Sequence, residues 1–416
     1  MDGSAELITV SNDRLEKPMT RLRGRFKGGV ANQHPAQPRI EGEAECILVL
    51  QGGGALGAYQ AGAYEALVAQ GAAPHWVAGI SIGAINAALI AGNRPDRRIP
   101  SLRDFWETTT PISSLIASAA VPSIALRRAL NQANASMVAL CGLPGFFVPR
   151  IPAAPFHPHG TPGALSHYDT APLRATLNRL IDFDLLNDGP IRLSVGAVNV
   201  RTGNFAYFDT TEQRLDARHI MASGALPPGF PPVEIDGEWY WDGGLVSNTP
   251  LQYVLDQPAS KSRVAFQVDL FACEGPMPAN LSQVAEREKD IRYSSRTRLN
   301  TNNAIARHAL AQAARRLTAK LPASYAQDPD VRTLRAFSAE HAVTVVHLIY
   351  RRQPYETQSE NYEFSRMSMQ EHWTAGWTDV VNTLNHPDWC SRPTPQDGIH
   401  VFDLTRDRIQ VRNAVA

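Results

Sequence analysis

Between Cys46 and Asn93 the chain alternates apolar runs with glycine-rich turns in an order that few architectures accommodate. CILVLQ is a short, continuous apolar run of the kind that forms a strand buried on both faces. GALGAYQAGAYEALVAQG follows with helical composition and stops at Gly71, a residue type suited to a helix C-terminus. WVAGIS then reads as a second strand, and IGAINAALIAGN as a second helix closed by Gly92 and Asn93. Strand, helix, strand, helix in so short a span predicts parallel strands joined by crossover helices, and hence an α/β fold with a mainly parallel sheet.

The same alternation resumes downstream, with a helix at Pro172–Asp182 and strands at IRLSVGAVNV, GNFAYFD and RVAFQVDLFA. Residues 108–167 interrupt it with apolar, Pro-rich sequence in which proline is expected to block regular structure, as in a lid or an insertion. Leu115, Ile116, Phe146, Phe147 and Phe156 in that stretch suit an acyl-binding lid as well as a plain structural excursion. Leu281–Leu321 reads as one or two helices. The strands VTVVHLIY and HVFDL and a helix around Ser365–Leu384 complete a C-terminal region. Residues 1–43, with Arg21, Arg23, Arg25 and Lys27, read as a mobile basic tail.

Charge narrows the function classes. Forty Lys plus Arg balance 40 Asp plus Glu, so nothing pulls the whole chain toward nucleic acid. Cys46, Cys141, Cys273 and Cys390 lie far apart without zinc-type spacing, so neither a disulfide framework nor a metal site is indicated, and an intracellular compartment is expected. The N-terminus lacks the pattern of a secretory signal. Three uncharged stretches of about 20 residues, Cys46–Tyr64, Ala72–Asn93 and Thr108–Leu126, are long enough to span a bilayer. Glycine runs break the first two and prolines the third, which favours buried soluble segments. From Ile291 to Lys320 there are seven Lys or Arg and no acid; a solvated helical face outweighs peripheral contact with an anionic membrane.

Two glycine motifs carry the chemistry. Gly52, Gly53, Gly54 and Gly57 follow the first strand and open the first helix, a context that suits a dinucleotide pyrophosphate or an oxyanion received by the Gly53 and Gly54 amides. Dinucleotide binding expects an acid at the end of the next strand, but no acidic residue lies between Glu65 and Asp96, and Ser81 stands there instead. Gly79-Ile80-Ser81-Ile82-Gly83 is a G-x-S-x-G between strand and helix, the context of a nucleophile elbow, with Ser81 at a positive helix end. A serine nucleophile needs a base, and Asp242, followed by Gly243 and Gly244 after a short aromatic strand, is the candidate. The competing reading is a plain Asp-Gly hairpin turn. His157, His159, His167, His219, His308, His341 and His347 belong to no defensible motif.

Taken together, GGGALGAYQAGAYEAL, GISIGAINAAL and YWDGGLVSNTPL resemble the patatin-like phospholipase family over roughly residues 44–270. The resemblance implies a three-layer α/β/α fold with a mainly parallel central sheet, plus a mixed helical C-terminal extension like that of a bacterial subgroup. The expected organisation is a tail at 1–43, a catalytic domain at 44–275 and an extension at 276–416. Carried over, Ser81 matches the nucleophile and Asp242 the general base of a Ser–Asp dyad. Gly52, Gly53, Gly54 and Gly57 match the oxyanion loop. The implied function is hydrolysis of lipid acyl esters through an acyl-enzyme, without metal or organic cofactor, and the implied partner is a lipid or other acyl ester. Many members carry Arg or Lys where this chain has Leu56, which weakens the expectation for anionic head groups. An esterase acting on hydroxyalkanoate oligomers or lysolipids is the alternative; a dinucleotide-binding oxidoreductase is disfavoured.

Overall fold

The computed structural model describes residues 44–110, 123–337, 341–357, 359–392 and 398–404. The basic tail, Leu115 and Ile116 lie outside them.

Strand β1 (Glu45–Leu50) lies at the centre of the molecule because its residues feed two cores. Cys46, Leu48 and Leu50 face one apolar cluster, and Ile47 and Val49 face a second on the other side of the sheet. That alternation explains why the run is apolar throughout. A glycine turn leads to α1 (Gly57–Ala69), then β2 (Trp76–Ile80), α2 (Ile82–Ala91) and α3 (Pro95–Thr108). Every residue of α2 is buried, so this helix is apolar all round rather than amphipathic.

The insertion departs from expectation. It holds an 18-residue helix, α4 (Ile124–Cys141), before the short hairpin β3 (Val148–Pro149) and β4 (Tyr168–Asp169). Pro122 precedes the helix, Ser123 caps it by accepting from the Leu126 amide at 3.2 Å, and no proline follows until Pro144. Proline here delimits a helix rather than preventing one.

Helices α5 (Ala171–Leu180) and α6 (Phe183–Asp188) lead to β5 (Arg192–Asn199), β6 (Phe205–Asp209), α7 (Ala217–Ser223), β7 (Val233–Ile235) and β8 (Glu238–Asp242). Then come α8 (Leu251–Asp256), β9 (Arg263–Asp269), α9 (Leu281–Thr318), α10 (Pro329–Phe337), β10 (Val343–Ile349), α11 (Arg366–Leu384), α12 (Pro387–Cys390) and β11 (Ile399–Phe402). The stretch read as one or two helices is a single one, α9.

The main sheet runs β11-β10-β9-β1-β2-β5-β8-β7, with β6 also on β5. Pairing is parallel from β11 to β5 and antiparallel beyond. Residues after 276 therefore contribute two parallel strands to the same sheet that carries the glycine motifs. They also supply α11, which crosses α1 at glycine contacts: a Cβ at Gly62 would meet the Trp373 carbonyl and one at Gly376 the Tyr59 carbonyl, both near 2 Å (1.9 and 2.0 Å). Only glycine admits backbones this closely. No helix among the described residues is long and apolar enough to cross a membrane.

Candidate active site

The parallel pairing brings Leu50 level with Gly79 and Ile80 level with Gly196, so the chain leaves β1 and β2 side by side at the C-terminal ends of the strands. Open α/β sheets bind ligands at this edge. Ser81 is the single residue between β2 and α2 and adopts φ 58°, ψ −124°, a left-handed conformation that costs a non-glycine residue about 1–3 kcal/mol. Its neighbours permit the turn by having no side chain. A Cβ at Gly79 would lie 2.3 Å from the Gly83 carbonyl, and one at Gly83 2.4 Å from the Leu50 carbonyl. The Ser81 amide donates to Ser223 Oγ at 3.0 Å, and that hydroxyl donates to the Gly196 carbonyl at 2.6 Å, which fastens the strained turn to β5.

Asp242 ends β8 opposite Ala197, and its amide donates to the Ala225 carbonyl at 3.0 Å. The carboxylate is buried, and one oxygen accepts from the Gly244 amide at 2.7 Å. Burial pushes its pKa up to about 6, while hydrogen bonding from the Ser81 side chain and the Gly244 amide restrains the rise. Gly243 rests against β5, where a Cβ would come 2.6 Å from the Gly196 carbonyl. Gly196 is thus a shared reference for both turns, through Ser223 on one side and Gly243 on the other.

The glycine loop divides its labour. The Gly52 amide donates to the Asn248 carbonyl, while the Asn248 side-chain amide donates to the Gly52 carbonyl, at 3.2 and 2.9 Å. The Gly57 amide donates to the Gly54 carbonyl and starts α1; a Cβ there would meet Ile82 at 2.6 Å, so this glycine serves packing. Among the described residues no acceptor takes the Gly53 or Gly54 amide. Gly54 has φ +59° and lies under the Asn361 carbonyl.

Ser81, Asp242, Gly52, Gly53, Gly54 and Gly244 line one cleft. Gly57, Gly79, Gly83 and Gly243 lie behind its surface. The rest of the wall is chiefly apolar: Ile85, Phe146, Phe147, Phe230, Phe271 and Phe364. Phe146 and Phe147 bring the insertion into this wall, whereas Phe156 is 78% exposed. No histidine and no Lys or Arg is found among the described residues lining the cleft.

Two family models match the chain. The model for patatin-like phospholipases covers residues 48–255, and a second, described as patatin phospholipase, covers 291–396. The chain belongs to the patatin-like phospholipase family. No curated protein matches it. Solved structures similar to this patatin-like chain include VipD from Legionella pneumophila, at 15% identity and TM-score 0.34 over 83% of this chain and 67% of that one. ExoU of the type III secretion system of Pseudomonas aeruginosa, in complex with SpcU, has 19% identity and TM-score 0.27 over 70% of this chain and 59% of that one. A second ExoU–SpcU structure has 18% identity and TM-score 0.26, over 62% of this chain and 51% of its match. At these scores the likenesses carry no inference about the site.

Several residues that build the site of this patatin-like phospholipase had no assigned role in the sequence. Asn248 lies within YWDGGLVSNTPL, but its pairing with Gly52 joins segments 196 residues apart. Ser223, Tyr293, Asn361, Tyr362 and Phe364 arrive from elements remote in the chain.

Proposed function

We propose that the chain is a serine acyl-ester hydrolase working through a Ser81–Asp242 dyad. The observation that carries this reading is the strained Ser81 opening onto the same apolar cleft as the buried Asp242 carboxylate, a cleft whose described lining has no histidine. Asp242 takes the Ser81 proton as the hydroxyl oxygen attacks the ester carbonyl carbon. The carbonyl π electrons move to oxygen, and the Gly53 and Gly54 amides receive the oxyanion. Collapse expels the alcohol, which leaves with the proton held by Asp242. Water deprotonated by Asp242 then attacks the acyl-enzyme, and Ser81 recovers its proton as the acid departs.

A proton acceptor with a pKa near 6 is ionised at neutral pH yet more basic than an exposed carboxylate, which suits this task. The aromatic wall supports an acyl chain as the group bound. Lipid acyl esters are the substrate class, with phospholipids as the family implies. One observation favours the second reading, an esterase on uncharged substrates such as hydroxyalkanoate oligomers, or one on lysolipids: Leu56, where many members carry a cation, is fully buried in the core, and no described lining residue offers a positive charge to a phosphate.

The test is hydrolysis of a graded acyl-ester panel that includes phospholipid, by the purified chain and by Ser81→Ala and Asp242→Asn. Loss of turnover in both folded variants is expected. Full activity in either sinks the dyad, and the chain-length and head-group profile separates the two substrate readings.

A further inference from the structure

The turn that carries Asn361 and Tyr362 into the cleft wall is the 3₁₀ turn Glu360–Tyr362. Its first residue is not part of that wall. Glu360 is fully buried, and so are Glu356 and His372, the latter on α11. One donor atom from each of the three lies within 4.8 Å of the others. His372 Nε2 is 3.1 Å from Glu356 Oε1 and 3.8 Å from Glu360 Oε1.

Glu356 is well held: its carboxylate accepts from the Tyr350 hydroxyl and, at 3.0 Å, from the Gln353 amide. Glu360 is not. Neither of its oxygens has a hydrogen-bond partner, and Asn131, close enough to favour the ionised form, does not complete a bond to it through its buried amide nitrogen. A third buried carboxylate, Glu363, is occupied by Asn134 and Ser365. Three buried carboxylates, Glu356, Glu360 and Glu363, therefore gather near one imidazole, with the Lys289 ammonium also acting on Glu360. A buried carboxylate with both oxygens idle is disfavoured unless a positive species sits on it.

We propose that Glu356, Glu360 and His372 bind one divalent first-row transition-metal ion, Zn²⁺ or Mn²⁺, at a structural site behind the cleft. One imidazole nitrogen and two carboxylates are a donor set suited to these ions. Ligands held at about 2.0–2.2 Å from a metal stand roughly 3–3.5 Å apart, close to the spacings found here. Three donors leave at least one position for a further ligand such as water, and the imidazole nitrogen favours Zn²⁺ or Mn²⁺ over Ca²⁺ and Mg²⁺, which take oxygen ligands. The ion would neutralise Glu356 and Glu360 and tie the Glu360–Tyr362 turn to α11. Asn361 and Tyr362 would then be fixed over the glycine loop from behind. The site stands apart from the hydrolase reading, since its readout is metal binding.

The experiment uses the full chain, stripped with a chelator and titrated by calorimetry with ZnCl₂ or MnCl₂, with bound metal counted by mass spectrometry. One equivalent of Zn²⁺ or Mn²⁺ is expected, with a Tm rise of several degrees at saturation, tighter binding as pH rises, and about 100-fold or greater weakening in Glu360→Gln and His372→Gln. Should those variants fail to fold, Co²⁺ loaded into the unaltered chain decides: visible bands of an imidazole–carboxylate site support the proposal, and the spectrum of hydrated Co²⁺ overturns it. A folded chain that takes up neither Zn²⁺ nor Mn²⁺ at 100 μM (about the weak limit for a resident ion), or folded variants that bind as the unaltered chain does, also overturns it. In the former case Glu360 is held by a proton alone.

Discussion

The carbonyl oxygen of Asn361 lies so close over Gly54 that a Cβ at Gly54 would stand 2.3 Å from it. A residue of the C-terminal region is therefore the ceiling of the glycine loop, and the loop can neither rise nor gain a side chain without displacing it.

Gly54→Ala is accordingly expected to disable the enzyme. The substitution meets the Asn361 backbone and also a φ of +59° that alanine adopts poorly. Either effect moves the Gly54 amide, and loss of one oxyanion donor typically lowers kcat by about 10²–10³. Steady-state kinetics beside a thermal melt would check this; an intact kcat would remove Gly54 from the oxyanion assignment.

Acidity should switch the reaction off near the pKa of Asp242. With that group raised to about 6, kcat/KM should fall about tenfold per pH unit below it. A pH–rate profile whose acid limb falls near 4, the range of an exposed carboxylate, would contradict a buried base.

The same burial makes a prediction for stability. Because the folded pKa of Asp242 lies above its unfolded value, the native state binds the proton more tightly than the unfolded chain does. The destabilisation is thus absent below the unfolded value of 3.8 and grows as pH rises to about 6, where it is complete. Asp242→Asn removes the charge and should stabilise the fold at pH 8 by up to about 3 kcal/mol, the free energy of raising a carboxyl from 3.8 to about 6. Denaturation of both proteins at pH 8 and pH 4.5 tests this, and the advantage of the variant must shrink at the lower pH.

Ser223→Ala takes away the acceptor of the Ser81 amide and the donor to Gly196. Leaving a buried amide unsatisfied costs about 1–3 kcal/mol, concentrated at the strained turn. The expected signature is a fall in kcat of about tenfold or more with little change in KM, measured on a soluble ester. A KM effect alone would place Ser223 in substrate binding instead.

The first four elements were legible in the sequence because their signals are local: CILVLQ and WVAGIS are apolar through and through, and glycines punctuate both helices. The glycine motifs and Asp242 were legible for a related reason, since tight turns restrict residue type wherever they occur. Helix α4 was obscured by prolines that flank it, Pro122 and Pro144, rather than interrupt it. What could not be read was the meeting of distant segments. Asn361, Tyr362 and Phe364 reach the cleft only because β10 pairs with β9, and nothing in their own composition announces that pairing. Glu356, Glu360 and His372 are likewise joined across a turn and a helix rather than by a metal-type spacing.

The parallel pairing of β9 with β10 also bears on how the chain is made. Strand β9 is buried along its whole length, with β1 on one side and β10 on the other. A nascent chain that has emerged only as far as residue 270 would hold Ser81, Asp242 and the whole glycine loop, yet expose an apolar strand edge that invites pairing with other chains. Closing that edge waits on a strand more than seventy residues later in synthesis (Asp269 to Val343). The interval between the making of β9 and the making of β10 is therefore the stage at which this strand edge is most open to pairing with other chains.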